Sequence, residues 1–399
     1  MKKAFRALRF FFLSPVFATA LVSMHCAPKS DAPERRIENS VEVVINGSLP
    51  YQVQGKTLTV TVREQLRIDL EDPKFAEMGL SDVAKADLDS QGRVILFRQF
   101  AGEGPLVFVF DGSGNFQRSF GRRGQGPGEI VYPFSLGVTG PDEIAILESN
   151  TKILFFDPNG ALLRTTEIAS PVPMIGRARL SLLGNGNYLI QYPRLGEGGQ
   201  VQEIAVGVFD DRFRKIKDLV TFKLPESLEK ISDPFVPVPV FCHSPEAIFL
   251  GNEKNGQDIS VFDLTGNLKR IIRKQYPPVA IPVSFRDDLL KRMPENHPLR
   301  ANLKLPASFP AFQFLFSDDQ GRLYVATCEK DAASGQNLCD IFAPDGTYIQ
   351  RAPLGYFDIL KWMFEGQPGD MVIRNGRVLF VRDKESGYRE VIVSWILWR

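Results

Sequence analysis

A single turn recurs along this chain and limits what it can become. An apolar strand ends in Phe-Asp, and a Gly follows three residues after the Asp. The clearest copies are Val109-Phe110-Asp111-Gly112-Ser113-Gly114, Phe155-Phe156-Asp157-Pro158-Asn159-Gly160 and Val261-Phe262-Asp263-Leu264-Thr265-Gly266. Asp caps its own turn and Gly accepts positive φ, so the motif reads as a tight reversal between two strands. Repetition at this scale points to an array of identical structural units, not a mixed fold.

A second strand precedes each copy. Six such starts can be found: Gly92–Phe97, Asp142–Leu147, Gly186–Ile190, Pro245–Leu250, Gly321–Val325 and Gly376–Phe380. The third and fifth units end less regularly, at Val208-Phe209-Asp210 and Ile341-Phe342-Ala343-Pro344-Asp345-Gly346. The period is about 45–60 residues, the length of a four-stranded propeller blade. Runs such as Leu106–Phe110 are apolar throughout. Strands covered on both faces by neighbouring blades read that way. The sixth unit ends with the chain and lacks an outermost strand. Lys56–Leu70 alternates and is rich in Thr, Val and Leu. It is expected to complete that sixth blade and remove two open sheet edges. The expected fold is therefore all-β: a six-bladed β-propeller closed by an N-terminal strand. The longest interruption, from about Lys274 to Pro310, falls between blades four and five. Within it Phe285, Leu289, Leu290 and Met293 have helical spacing, which predicts a short helix over Ser284–Met293.

The N-terminus carries an address. Lys2, Lys3, Arg6 and Arg9 precede an apolar stretch from Phe10 to Met24. A basic flank before a short apolar core is a secretory signal pattern, and Pro15 argues against a spanning helix. Cys26 follows directly, as in a bacterial lipoprotein signal. Ala18-Thr19-Ala20 offers ordinary cleavage as the alternative. The division expected is a signal over 1–25, a polar linker over 26–40 and the propeller over 41–399. Either processing route places the mature chain outside the cytoplasm, in the cell envelope, the periplasm or the medium. That compartment allows disulfides. Cys328 and Cys339 flank a hairpin turn at Ser334-Gly335 and are expected to pair across its neck, two unpaired thiols being the alternative. With 48 basic and 47 acidic residues the net charge is +1. No nucleic-acid partner is expected from that balance.

The run Phe120-Gly121-Arg122-Arg123-Gly124-Gln125-Gly126-Pro127-Gly128-Glu129 resembles the linking loop of bacterial six-bladed β-propellers related to the NHL-repeat proteins. The resemblance covers roughly Lys56 to Arg399. It implies a secreted, often lipid-anchored propeller and carries over no catalytic residue. The run is not a phosphate loop, since no Lys-Ser or Lys-Thr follows the last Gly. Its structural reading is a tight crossing between blades. Its functional reading is an anion-binding edge formed by exposed amides, Arg122 and Arg123, within a candidate ligand-binding set of Arg122, Arg123, Gln125 and Glu129.

Propeller ligands gather on the face that receives the long connections. That face is expected to hold Arg98–Gly104, Gly121–Tyr132, Pro193–Gln200, Glu253–Gln257, Cys328–Cys339, Asp383–Tyr388 and the long insertion. The function expected is a lipid-anchored binding or scaffold module for a protein, peptide or glycan, attached to the membrane by the lipid alone. The alternative is a metal-dependent propeller enzyme of lyase or lactonase type. No cofactor and no metal ligands are assigned. A channel-bound divalent ion of calcium type is the one cofactor that alternative requires. The acidic residues Glu129, Asp142 and Asp370 are as easily turn formers, and His243 and His297 are the only imidazoles past the signal.

Overall fold

A computed structural model describes residues 32–53, 56–80, 83–99, 104–148, 152–168, 179–196, 199–224, 233–235, 239–252, 258–297, 299–360 and 371–399. Six four-stranded antiparallel units stand in a ring among them. From the channel outward, blade one is Lys85–Leu88, Val94–Phe97, Pro105–Phe110 and Phe116–Arg122. Blade two is Pro133–Val138, Ile144–Glu148, Lys152–Phe156 and Leu162–Glu167. Blade three is Arg179–Leu182, Tyr188–Leu195, Val201–Phe209 and Lys215–Lys223. Blade four is Val240–His243, Ile248–Asn252, Asp258–Phe262 and Leu268–Lys274. Blade five is Phe314–Ser317, Leu323–Lys330, Asn337–Phe342 and Tyr348–Pro353. Blade six takes Met371–Arg374, Arg377–Asp383 and Arg389–Trp398 from the end of the chain, and Val60–Asp69 from its beginning.

The uniformly apolar strands are explained by the seams. Each pair of neighbouring blades encloses its own buried cluster. In blade one Val107 and Val109 face blade two, while Phe108 and Phe110 face blade six. Successive side chains of a strand point to opposite faces, and here both faces are core. The Phe-Asp turns follow the chemistry of their residues. Asp111, Asp157 and Asp263 each accept two backbone amides, and Gly114, Gly160 and Gly266 sit at φ of 84°, 90° and 88°.

Blade three breaks the rule instructively. Phe213 takes the glycine position at φ 59° and stacks on Tyr188, with ring centroids 4.4 Å apart. Ring burial there outweighs a left-handed backbone that costs an L-residue about 1–2 kcal/mol. Phe213→Ala is expected to lose about 3–5 kcal/mol, because the ring goes and the strain stays. Phe213→Gly removes both, so it should melt above Phe213→Ala in thermal unfolding. The reverse order would show that the turn is not strained.

The expected N-terminal closure is present, and more of the N-terminus takes part than anticipated. Val60–Asp69 pairs antiparallel with Arg389–Trp398, from Val60 opposite Trp398 to Asp69 opposite Glu390. Ahead of it, Glu34–Glu38 and Val41–Asn46 form a hairpin inside and just past the segment read as linker. Its second strand runs parallel to Leu268–Lys274 and widens blade four. Between these strands the chain crosses the outside of blade five, where the Tyr51 amide donates to the Tyr348 carbonyl at 2.8 Å. Buried Asn46 donates to the Gly346 carbonyl at 3.0 Å and accepts from the Tyr348 amide at 2.7 Å. The N-terminal segment is a strap around blades four, five and six. Its free edge, Glu34-Arg35-Arg36-Ile37-Glu38, is charged, which discourages further strand pairing.

The expected Cys328–Cys339 disulfide is not formed. Pairing slips between Ala326 and Lys330, and Cys339 stands opposite Ala326 instead. The thiols belong to different cores. Cys339 lies in the seam between blades five and six, and its Sγ donates to the Leu354 carbonyl at 3.5 Å. Cys328 points at the Pro310 carbonyl, 3.7 Å away, and packs under the long insertion. Burial pushes the Cys339 thiol well above its usual pKa.

Candidate functional site

Strand direction gives the ring two unlike faces. The connections within blades one-to-two and three-to-four are short turns on the lower face. The two-to-three connections and the crossings between blades emerge on the upper face. The lower mouth is bridged. Arg374, at the end of blade six's inner strand, donates to the Leu88 carbonyl at 2.7 Å and the Val138 carbonyl at 3.0 Å. It therefore reaches past blade one to blade two. Beside it, Asn375 donates to the Ser90 carbonyl at 2.6 Å, and the Ser90 amide donates to Asp142 at 2.8 Å. Asp142, which sits in a turn at φ 65°, is thus a structural acceptor.

The upper face carries a core of its own. The expected helix is present as Val283–Arg292, within residues 275–313. The neck of this excursion is closed by the Phe309 amide donating to the Val279 carbonyl at 2.8 Å, and by a bridge between Ala280 and Ser308. Phe285, Leu289 and Met293 turn inward. They meet Phe235 from the crossing between blades three and four, and Ile359 and Leu360 from the crossing between blades five and six. Phe285 and Phe309 pack edge to face, with centroids 5.0 Å apart. Arg300 closes the helix end by donating to the Leu290 and Met293 carbonyls, both at 2.7 Å. His297 Nδ1 accepts the Leu299 amide at 3.2 Å, so that imidazole serves the short helix Leu299–Asn302. Three crossings are thereby welded into one cap. Outside this packing, Val283 is 94% exposed and Tyr132 65%.

The glycine-rich crossing also lies on the upper face, between blades one and two. It supplies its own anion. Glu129 accepts the Gly126 amide at 2.8 Å and the Arg122 guanidinium at 2.6 Å. A Cβ added to Gly124 would meet the Glu129 carboxylate, so only glycine leaves room for it. Arg123 donates to the Gln99 carbonyl at 2.9 Å, and Gln125 is exposed. Of the expected anion edge, the structure therefore joins Arg122 to Glu129 and leaves Arg123 and Gln125 facing outward.

The Gly126 amide, and then Arg122, hold the Glu129 carboxyl below its ordinary value of 4.5. The carboxylate's support for the loop is complete above that value and is lost as pH falls through the lowered one. Glu129→Gln is expected to lower, already at neutral pH, the amide protection around Gly126 that the native loop should lose only as Glu129 is protonated in acid. Hydrogen exchange on residues 121–130 reads this. Unchanged protection in the variant would remove Glu129 from the loop's support.

Other expected positions are simply placed. Cys26 and Asp370 lie outside the described residues. Among the described residues no three His, Cys, Asp or Glu side chains gather as a metal group. No helix among them is long and apolar enough to cross a membrane. Sequence reasoning missed Phe235, Ile359, Leu360, Arg300 and Arg374. The available signal was the unusual length of the crossings after blades three and five.

A family model, DUF5128, described as a 6-bladed beta-propeller, matches residues 88–229. No curated protein matches the chain. Among solved structures, a Bacteroides fragilis protein described as exported is 12% identical, with 89% of this chain and 99% of that one covered at a TM-score of 0.47. A Xanthomonas campestris gluconolactonase is 10% identical, with 79% of this chain and 88% of that one covered at a TM-score of 0.38. The family match begins in blade one and extends past blade three, and the chain that contains it is a six-bladed β-propeller.

Proposed function

We propose that this protein is an extracytoplasmic propeller, related to the NHL-repeat group and held to the membrane by a lipid on Cys26. Its work is to bind a protein, peptide or glycan through the upper face. The observation that carries this reading is the cap. Three crossings are committed to a separate apolar core on one face, built on Phe235, Phe285, Leu289, Ile359 and Leu360. Rigid support beneath loops is how a scaffold presents contact residues. The contacts proposed are Val283, exposed on the cap, and Tyr132, Arg122 and Gln125, exposed on the glycine-rich crossing of the same face.

Binding of the purified protein to peptide and glycan arrays tests it, with Tyr132→Ser and Val283→Ser as upper-face variants and Thr265→Arg as a lower-face control. Loss of binding in the upper-face variants alone is expected. Elemental analysis of the same sample covers the enzyme reading. A stoichiometric divalent ion, with lactone hydrolysis or carbon–nitrogen cleavage abolished by a chelator, would replace the binding module by a metal-dependent enzyme.

A further inference from the structure

We propose that the central channel is a second binding site, for a small carboxylate with a slender apolar body whose head is held at Arg374. The site goes beyond the upper-face contacts and does not depend on them. Each inner strand has a neighbouring strand on one side and the axis of the ring on the other. The strands behind them are sealed: Val94–Phe97, Leu106–Phe110 and Leu323–Ala326 are buried throughout. The inner strands are not. Phe134 of blade two, Leu182 of blade three, Val240 of blade four, Phe316 of blade five and Val372 of blade six are only partly buried. Their free side is the axis, so the wall of the channel is apolar in five of the six blades.

Charge on these strands is one-sided. They carry Lys85, Arg179 and Arg374 against a single carboxylate, Asp87. His243 can only add to the positive side. Asp87 is buried, and its oxygens accept the Leu88 and Val138 amides at 2.7 and 2.8 Å. Among the described residues Arg374 has no ion-pair partner, its bonds being those to the Leu88 and Val138 carbonyls. A guanidinium has five N–H donors, so three of them remain. Lys85, partly buried at the upper end of blade one, has no ion-pair partner among the described residues either. Low-dielectric walls lined by one sign of charge concentrate ions of the other sign. A planar guanidinium matches a carboxylate in particular.

Arg374 lies at the bridged end of the channel. Asp319 of blade five accepts the Asn375 amide at 3.2 Å, which extends the stitching of the lower mouth from blade two through blades one and six to blade five. At the other end the cap joins the crossings after blades three, four and five, and the glycine-rich crossing stands outside it. A ligand enters on that side, from the upper face, and meets Arg374 at the floor. Five of the six inner strands are four residues long, so the wall is about 13 Å tall. Decanoate is an extended chain of similar length and serves as the probe.

Isothermal titration of the purified protein with decanoate, decanol and decyltrimethylammonium reads the site. One decanoate per ring is expected, with decanol bound about tenfold more weakly or worse for want of a charge-assisted hydrogen bond, and the cation not bound. Arg374→Gln keeps donors for the two carbonyls and removes the charge. Ser181→Asp leaves Arg374 in place and adds a carboxylate to blade three, which faces blade six across the axis, at a partly buried position. Each variant is expected to weaken decanoate about tenfold or more, to leave decanol unchanged and to unfold as the native protein does on heating. If Arg374→Gln does not fold, Ser181→Asp and the comparison of ligands on the native protein decide. No binding of decanoate, equal binding of decanoate and decanol, or full decanoate affinity in Ser181→Asp overturns the site. None of these results touches the upper-face reading, which the arrays test separately.

Discussion

A chain shortened to begin at Glu71 is expected not to fold as a closed ring. The truncation removes the whole strap and with it the outer strand of blade six. Leu66 and Ile68 leave the seam between blades six and one, where Val391, Val393 and Leu379 are buried against them. Each lost aliphatic side chain costs about 2–5 kcal/mol in a packed core. Buried Glu390 also loses Arg67, which bonds it at 2.6 Å. The terminal clasp, in which Thr59 and Arg399 exchange backbone hydrogen bonds of 2.8 and 3.0 Å, goes as well. These terms together are comparable with the net stability of an ordinary domain, about 5–15 kcal/mol. Circular dichroism during heating reads the outcome. No cooperative transition is expected for the truncated chain, and a transition near the native temperature would refute closure.

Asp340→Ala should be among the most damaging single substitutions. Asp340 is fully buried on blade five, facing blade four. Lys274 of blade four, itself buried, approaches it at 3.0 Å, and Arg351 does so at 3.0 Å from the other side. The Tyr348 hydroxyl donates to it at 2.9 Å. The Lys274 ammonium also lies 4.4 Å from the Tyr276 ring centroid and 4.7 Å from that of Tyr348. Removing Asp340 leaves Lys274 charged, dry and uncompensated, at a cost of about 3–5 kcal/mol. Replacing both members by apolar residues of similar size, Lys274→Met with Asp340→Leu, is expected to recover most of that loss. Urea denaturation of the two variants tests this. A single variant within about 1 kcal/mol of native would place the pair in the solvated class of salt bridges.

The ring was largely legible in the sequence because each blade solves the same problem. Leu106–Phe110 must be apolar on both faces, and Asp111 and Gly114 must reverse the chain. Such demands are local and leave a mark at every repeat. Closure by Val60–Asp69 was legible because the sixth unit lacked a strand and an alternating segment was left over. The strap's hairpin was not. Glu34-Arg35-Arg36-Ile37-Glu38 has the composition of a linker and forms a strand only because Val41–Asn46 pairs with blade four. The cap was half legible. The spacing of Phe285, Leu289 and Met293 marked the helix, but its partners Phe235, Ile359 and Leu360 are distant in sequence and have no periodicity. The disulfide expectation failed at a register slip, which the types of Cys328 and Cys339 do not encode. The anion edge was legible in composition only. That Glu129 itself takes the Gly126 amide depends on the fold of the loop.

The central claim is that function resides on the capped upper face and not on the repeat. Photo-crosslinking in intact cells tests it most directly, with a photoreactive amino acid at Gln125 or Val283 above and at Ser113 or Thr265 below. The account predicts one partner captured in common from the two upper positions and none from the lower turns. Capture of a partner from the lower turns alone would contradict it.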